Sequence, residues 1–159
     1  MTNPLQCRDR IEKPLAKRVN PMKQIRQLQL CFDEDGREIE VLDVSMIDPD
    51  TLTIEENPIF SERVSFGDRI RVRRIGDVYY YIETLRKSEL VRRSWLLSRR
   101  VSRSAELSAA KARIAEAGGN WEQVFGGLLV INVPQAFEGG IAADIDAIIA
   151  DIDRLGGQA

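Results

Sequence analysis

Residues 24–44 read QIRQLQLCFDEDGREIEVLDV, and the reading of this stretch decides the fold. Ile25–Phe32 reads as a strand, with Leu28, Leu30 and Phe32 at every second position on one face, the period of a strand against a core. Asp33-Glu34-Asp35-Gly36 follows as a turn, because glycine takes a positive φ freely and aspartate tolerates one. From Arg37 to Val44 the alternation resumes, with Ile39 and Val41 set against Glu38 and Glu40. The stretch is a β-hairpin, and it predicts an antiparallel sheet at the front of the chain.

Downstream, the same grammar repeats. Thr51–Ile54 is a strand after the turn Asp48-Pro49-Asp50, and Asn57-Pro58-Ile59-Phe60 is irregular because Pro58 cannot sit in a central strand. Phe66-Gly67-Asp68 turns into a strand at Arg69–Arg74, Ile75-Gly76-Asp77 turns again, and Val78–Leu85 returns with three consecutive tyrosines. Short strands at this spacing predict a small antiparallel sheet or a partly open barrel. Leu90–Ser98, around Trp95, is one more strand.

After Arg103 the period lengthens to that of a helix. Ser102 or Ser104 can cap a helix over Ala105–Ala117 that places Leu107, Ala110 and Ile114 on one face. Trp121–Phe125 and Leu128–Val133 are strands, Pro134 stops the second, and Ile141–Leu155 is a closing helix striped by isoleucine. Gly118-Gly119, Gly126-Gly127, Gly139-Gly140 and Gly156-Gly157 each fall where an element should end. The expected fold class is α+β: the small sheet or barrel, then a β-α-β-β-α half that is ferredoxin-like without its last strand. The expected divisions are an arm over 1–23, a β-rich domain over 24–90 and an α/β domain over 91–157.

Composition narrows the function classes. A chain of 159 residues with 43% hydrophobic and 30% charged side chains can bury a core unaided. No run approaches the roughly 20 apolar residues of a membrane helix, nothing resembles a signal peptide, and Cys7 and Cys31 form no disulfide or metal pattern. A cytoplasmic setting is expected. The chain has no histidine, which removes the commonest general base and metal ligand. Neither a GxxxxGK[ST] nor a GxGxxG loop is present. The expectation is therefore a non-catalytic protein without cofactor or metal.

The net charge of −2 conceals alternating blocks: basic to Leu30, acidic over 31–65, basic over 66–105 and acidic thereafter. Such blocks either form binding faces or neutralise one another in the fold. Arg69, Arg71 and Arg73 share one face of their strand, and Tyr79 and Tyr81 share one face of the next. Exposed together, they would bind a partner. Arg92 and Arg93, with Arg99, Arg100 and Arg103, flank the apolar Trp95–Leu97 and make a second candidate surface. The aspartates of the last helix, Asp144 and Asp151 among them, read as a solvated face with Glu138, Asp146 and Asp153.

Asn57-Pro58-Ile59-Phe60, then Val64-Ser65-Phe66-Gly67-Asp68-Arg69-Ile70, and later Leu129-Val130-Ile131-Asn132-Val133-Pro134, resemble a bacterial family known only as a domain of unknown function. The resemblance covers roughly residues 25–155, and its motifs are structural rather than chemical. It implies a shared architecture and carries no activity. The leading expectation is a binding or regulatory module for a protein partner, using Arg69–Tyr81. The alternative is a nucleic-acid-binding protein using Arg69–Tyr81 and Arg92–Arg103. A third expectation, a carboxylate- or lysine-dependent enzyme, would gather Asp68, Glu83 or Lys87 in a pocket.

Overall fold

The structure is a computed structural model that describes Glu12 and residues 24–156. The arm expected over 1–23 lies outside the described residues, Glu12 excepted. The chain forms two compact units, and the boundary falls between Ser88 and Glu89, with Glu12 belonging to the second.

The first unit is built from β1 (Ile25–Cys31), β2 (Ile39–Asp48), β3 (Thr51–Ile54), β4 (Arg69–Ile75) and β5 (Val78–Arg86). The expected hairpin is β1 and β2, with Leu28 opposite Leu42 and Leu30 opposite Glu40. Each strand pairs antiparallel with the next, and the sheet closes into a barrel when β5 pairs with β1. Five strands linked by four reversals leave the first and last running the same way, so the closing pair has to be parallel, as Leu30 beside Tyr79 shows. Closure leaves no sheet edge exposed.

Leu30, Phe32, Leu42, Val44, Leu52, Ile54, Val64, Ile70 and Val72 fill the barrel. Burying each such side chain contributes about 1.5–3 kcal/mol. One expectation is corrected here. The core face of β2 is Glu40, Leu42 and Val44, not Ile39 and Val41. Glu40 can point inward because its carboxylate accepts the backbone N–H groups of Ile59 (2.8 Å) and Phe60 (3.1 Å). The irregular segment after Pro58 thereby gains a buried acceptor, which an apolar side chain would have denied it.

The second unit contains β6 (Leu90–Leu96), α1 (Arg99–Ser102), α2 (Ala105–Glu116), β7 (Asn120–Val124), β8 (Leu128–Pro134) and α3 (Gln135–Gly156). The three strands form an antiparallel sheet in the order β6-β8-β7. Leu129, Ile131 and Val133 of β8 pack with Leu107, Ala110 and Ile114 of α2 and Ile141 and Ile145 of α3. Ser104 caps α2 by accepting from Leu107 N (3.1 Å). The short α1 is absent from the sequence expectations; Ser98 caps it by accepting from Val101 N (3.3 Å).

A second correction concerns α3. It begins directly after Pro134, so Gly139 and Gly140 lie inside a helix rather than at the end of an element. Glycine costs about 1 kcal/mol against alanine in a helix interior. Burial of Ile141, Ala142 and Ile145 offsets that cost. No helix among the described residues is long and apolar enough to cross a membrane.

Candidate functional site

On β4 the alternation is clean: Ile70 and Val72 point into the barrel, and Arg69, Arg71 and Arg73 point out. Directly opposed residues of an antiparallel pair share a face. Arg86, Glu83 and Tyr80 of β5 therefore join Arg69, Arg71 and Arg73 respectively on the outer surface. Arg71 pairs with Glu83. Arg69, Arg73 and Arg86 have no ionic or hydrogen-bonding side-chain partner among the described residues. The pairing register shifts twice along these strands. The supernumerary residues are Leu85 and Ile82, which stay 45% and 50% exposed beside the arginines.

Tyr79 and Tyr81 are not on that surface. Both pack against the barrel core. Tyr81 lies 5.9 Å from the Phe32 ring and shares a 2.9 Å hydrogen bond with Thr84 Oγ1. Their exposed faces are covered by cations, with the Arg63 guanidinium 5.4 Å from the Tyr81 centroid and that of Arg74 5.7 Å from Tyr79. The fold thus gathers the arginines and separates them from these two tyrosines.

Arg92 and Arg93 also part company, since neighbours on a strand face opposite ways. Arg93 turns to the helices and meets Glu138 at 3.1 Å. Arg92 is half-buried opposite Asn132 on the other face. The acidic residues of α3 have specific tasks beyond solvation: Asp146 accepts from Trp95 Nε1 (2.9 Å) and Asp153 from Ser98 Oγ (2.7 Å).

Asp68 and Lys87 meet at 2.8 Å, while Glu83 is engaged elsewhere, by Arg71. Asp68 is 1% exposed and accepts from Ser65 N (3.0 Å) and Ser88 N (2.7 Å) as well as from Lys87. Gly67 before it holds φ +89°, and a Cβ there would stand 2.9 Å from Ser88 Oγ. With Asn57 Oδ1 accepting from Phe66 N (2.9 Å), the Asn57 and Gly67-Asp68 elements lock the chain between β3 and β4. These are structural bonds throughout. Cys31 is a buried free thiol that donates to Asp33 Oδ1 at 3.0 Å.

The second unit holds a cavity of about 580 Å³, within the range of small-molecule sites. One wall is the passage from β6 into α1, with Leu97, Arg99, Ser102 and Arg103; the other is the β7–β8 tip, with Gln123, Phe125 and Gly126. Leu97 N donates to Gly127 O (2.7 Å) and fixes the two walls together. Gln123 is held by Lys111 Nζ (2.6 Å) and in turn donates to Gly126 O (2.6 Å). Lys111 lies 4.2 Å from the Trp121 centroid, and burial holds its pKa below the usual lysine value against the opposing pull of the Glu12 carboxylate.

Three features of this cavity are unspent. Arg99 and Arg103 have no side-chain partner among the described residues. Ser102 Oγ is buried without a hydrogen-bond partner. Phe125 holds φ +56°, a conformation that costs a residue with a Cβ about 1–2 kcal/mol, and the residue remains 55% exposed. The sequence marks Arg99 and Arg103 by charge. Phe125 is signalled only by its place before Gly126-Gly127, and Ser102 by nothing.

No family model matches the chain, and no curated protein matches it. A solved structure of a hypothetical protein from Neisseria gonorrhoeae is similar, with a TM-score of 0.55, 17% sequence identity, and coverage of 79% of this chain and 90% of the other. At that identity the likeness is one of fold.

Proposed function

We propose that the protein is a non-catalytic binding module whose barrel docks an acidic protein partner through the outer face of β4 and β5. The observation that carries this reading is the row Arg69, Arg73 and Arg86, without a side-chain partner among the described residues and set beside the exposed Ile82 and Leu85. Cations around an apolar patch suit a protein interface, where arginine is enriched. Tyr79 and Tyr81 pack against the barrel core and leave Tyr80 as the tyrosine beside Arg73; this favours a protein over a nucleic acid on the same face, because a strand is held by stacking successive bases on several exposed rings. The buried free thiol of Cys31 fits a reducing, cytoplasmic setting. The β6-β8-β7 order supports reading the second unit as a ferredoxin-like half without its fourth strand.

The test is co-purification from lysate at low and high salt, with nuclease in parallel, comparing the wild type with the double variant Arg69→Glu, Arg73→Glu. The expected result is a nuclease-resistant protein partner captured by the wild type and lost in the variant, with the variant's circular dichroism unchanged. Equal capture by both proteins defeats the barrel-face reading. Recovery of nucleic acid alone, lost at high salt, replaces it with nucleic-acid binding.

A further inference from the structure

We infer that the cavity between α1 and the β7–β8 tip is a binding site for a small phosphate ester carrying a planar ring, of the nucleoside monophosphate class. Arg99 and Arg103 are four residues apart, and Arg103 N donates to Arg99 O at 3.2 Å. That spacing stacks the two side chains on one side of a helical turn, about 5–6 Å apart at Cβ. Both line the cavity. Two guanidinium groups at that separation, without a side-chain partner among the described residues, can present planar donor forks to one anion, the geometry in which arginine excels over lysine.

Charge at the site favours an anion although Glu12 is also part of the cavity lining. Arg99 and Arg103 outnumber Glu12, the carboxylate of the lining, so the cavity keeps a positive excess. Ser102 Oγ supplies a hydroxyl with unspent hydrogen-bonding capacity. Rotation about its Cα–Cβ bond brings that capacity to a ligand oxygen in the cavity, which satisfies a group otherwise costly to bury.

Phe125 argues for a ring rather than a bare phosphate. Nothing about the hairpin requires phenylalanine there: asparagine or glycine would adopt the positive φ at less cost. Backbone strain combined with an exposed aromatic residue, at the mouth of a cavity, is the pattern of a side chain kept for contact. A ring so placed stacks on a planar ligand group, worth about 1–3 kcal/mol for a nucleobase.

The site lies in the second unit and is independent of the barrel face, so different residues test the two. The experiment is calorimetric titration of the full chain with adenosine monophosphate, adenosine and inorganic phosphate. Saturable binding of the monophosphate is expected, with adenosine and phosphate each much weaker. Arg99→Gln and Arg103→Gln should each weaken the monophosphate about 10-fold or more, the loss of one charge-assisted contact. Phe125→Asn is the decisive variant. It should raise Tm by relieving the turn, weaken adenosine monophosphate several-fold and leave phosphate unchanged. Absence of monophosphate binding in the millimolar range overturns the proposal, as does equal binding of adenosine. Unaltered monophosphate affinity in Phe125→Asn overturns the assignment of the ring.

Discussion

Asp33 shows how much one turn residue carries. Its carboxylate accepts the Cys31 thiol and the backbone N–H groups of Arg37 (3.1 Å) and Glu38 (2.9 Å). Those bonds, the thiol's foremost, lower its pKa from 3.8 to about 2. A depressed carboxylate stabilises the fold above its unfolded pKa and loses that contribution as the pH falls through its folded value. Asp33→Asn should therefore flatten the fall in urea midpoint between pH 3.8 and about 2; an unchanged acid limb would show that Asp33 contributes nothing to it. Cys31 titrates with the opposite sign. Burial foremost, with the Asp33 bond, pushes its thiol up to about 11 from 9.0, so its contribution is complete below 9.0 and lost as the pH rises through 11. Single residues are also where sequence reading failed. Glu40 looked like a solvent residue because its donors, the backbone N–H groups of Ile59 and Phe60, are supplied by a segment nineteen residues away whose path no local pattern reveals.

At the scale of elements, strands and the α2 helix were legible because alternation and capping are local. The start of α3 was not, since two glycines normally end a helix and only the packing of Ile141 and Ile145 overrides them. That override leaves a measurable reserve. A Cβ at Gly139 or Gly140 meets nothing within 4 Å, so alanine at each should stabilise the protein by about 0.5–1 kcal/mol, read as a higher denaturation midpoint. Gly119 is the opposite case: its Cβ would lie 2.7 Å from Asn132 O, a backbone atom that cannot step aside. Gly119→Ala should destabilise by about 1–3 kcal/mol. A gain at Gly119, or a loss at Gly140, would contradict the packing described. The arginine row was legible at the same scale, because a period of two needs only the strand. The fate of the tyrosines required the barrel's inside and outside to be known.

For the molecule as a whole, the change of period near Arg103 marks where helices enter the sequence, but the two units part earlier, between Ser88 and Glu89, because β6 joins the second sheet; closure of the first sheet likewise required pairing between distant strands. The aromatic residues divide with the units: all three tyrosines belong to the barrel and both tryptophans, Trp95 and Trp121, to the second unit. Intrinsic absorbance and fluorescence can therefore follow the two cores separately. Leu42→Ala should cost about 2–5 kcal/mol in the barrel and lower the tyrosine-detected transition, while Ile131→Ala should lower the tryptophan-detected one. If each variant moved both signals equally, the two cores would be melting as a single cooperative body. The parallel seam between β1 and β5 has a kinetic meaning as well. Its partners, such as Gln29 and Val78, are far apart along the chain, while every other pairing in the barrel joins neighbours in sequence. Chain entropy opposes that contact most. The ladders β1–β2, β2–β3 and β4–β5 can zip from short connections, β3 meets β4 across residues 55–68, and the seam is the step at which a half-made barrel, with two bare strand edges, becomes one that has none.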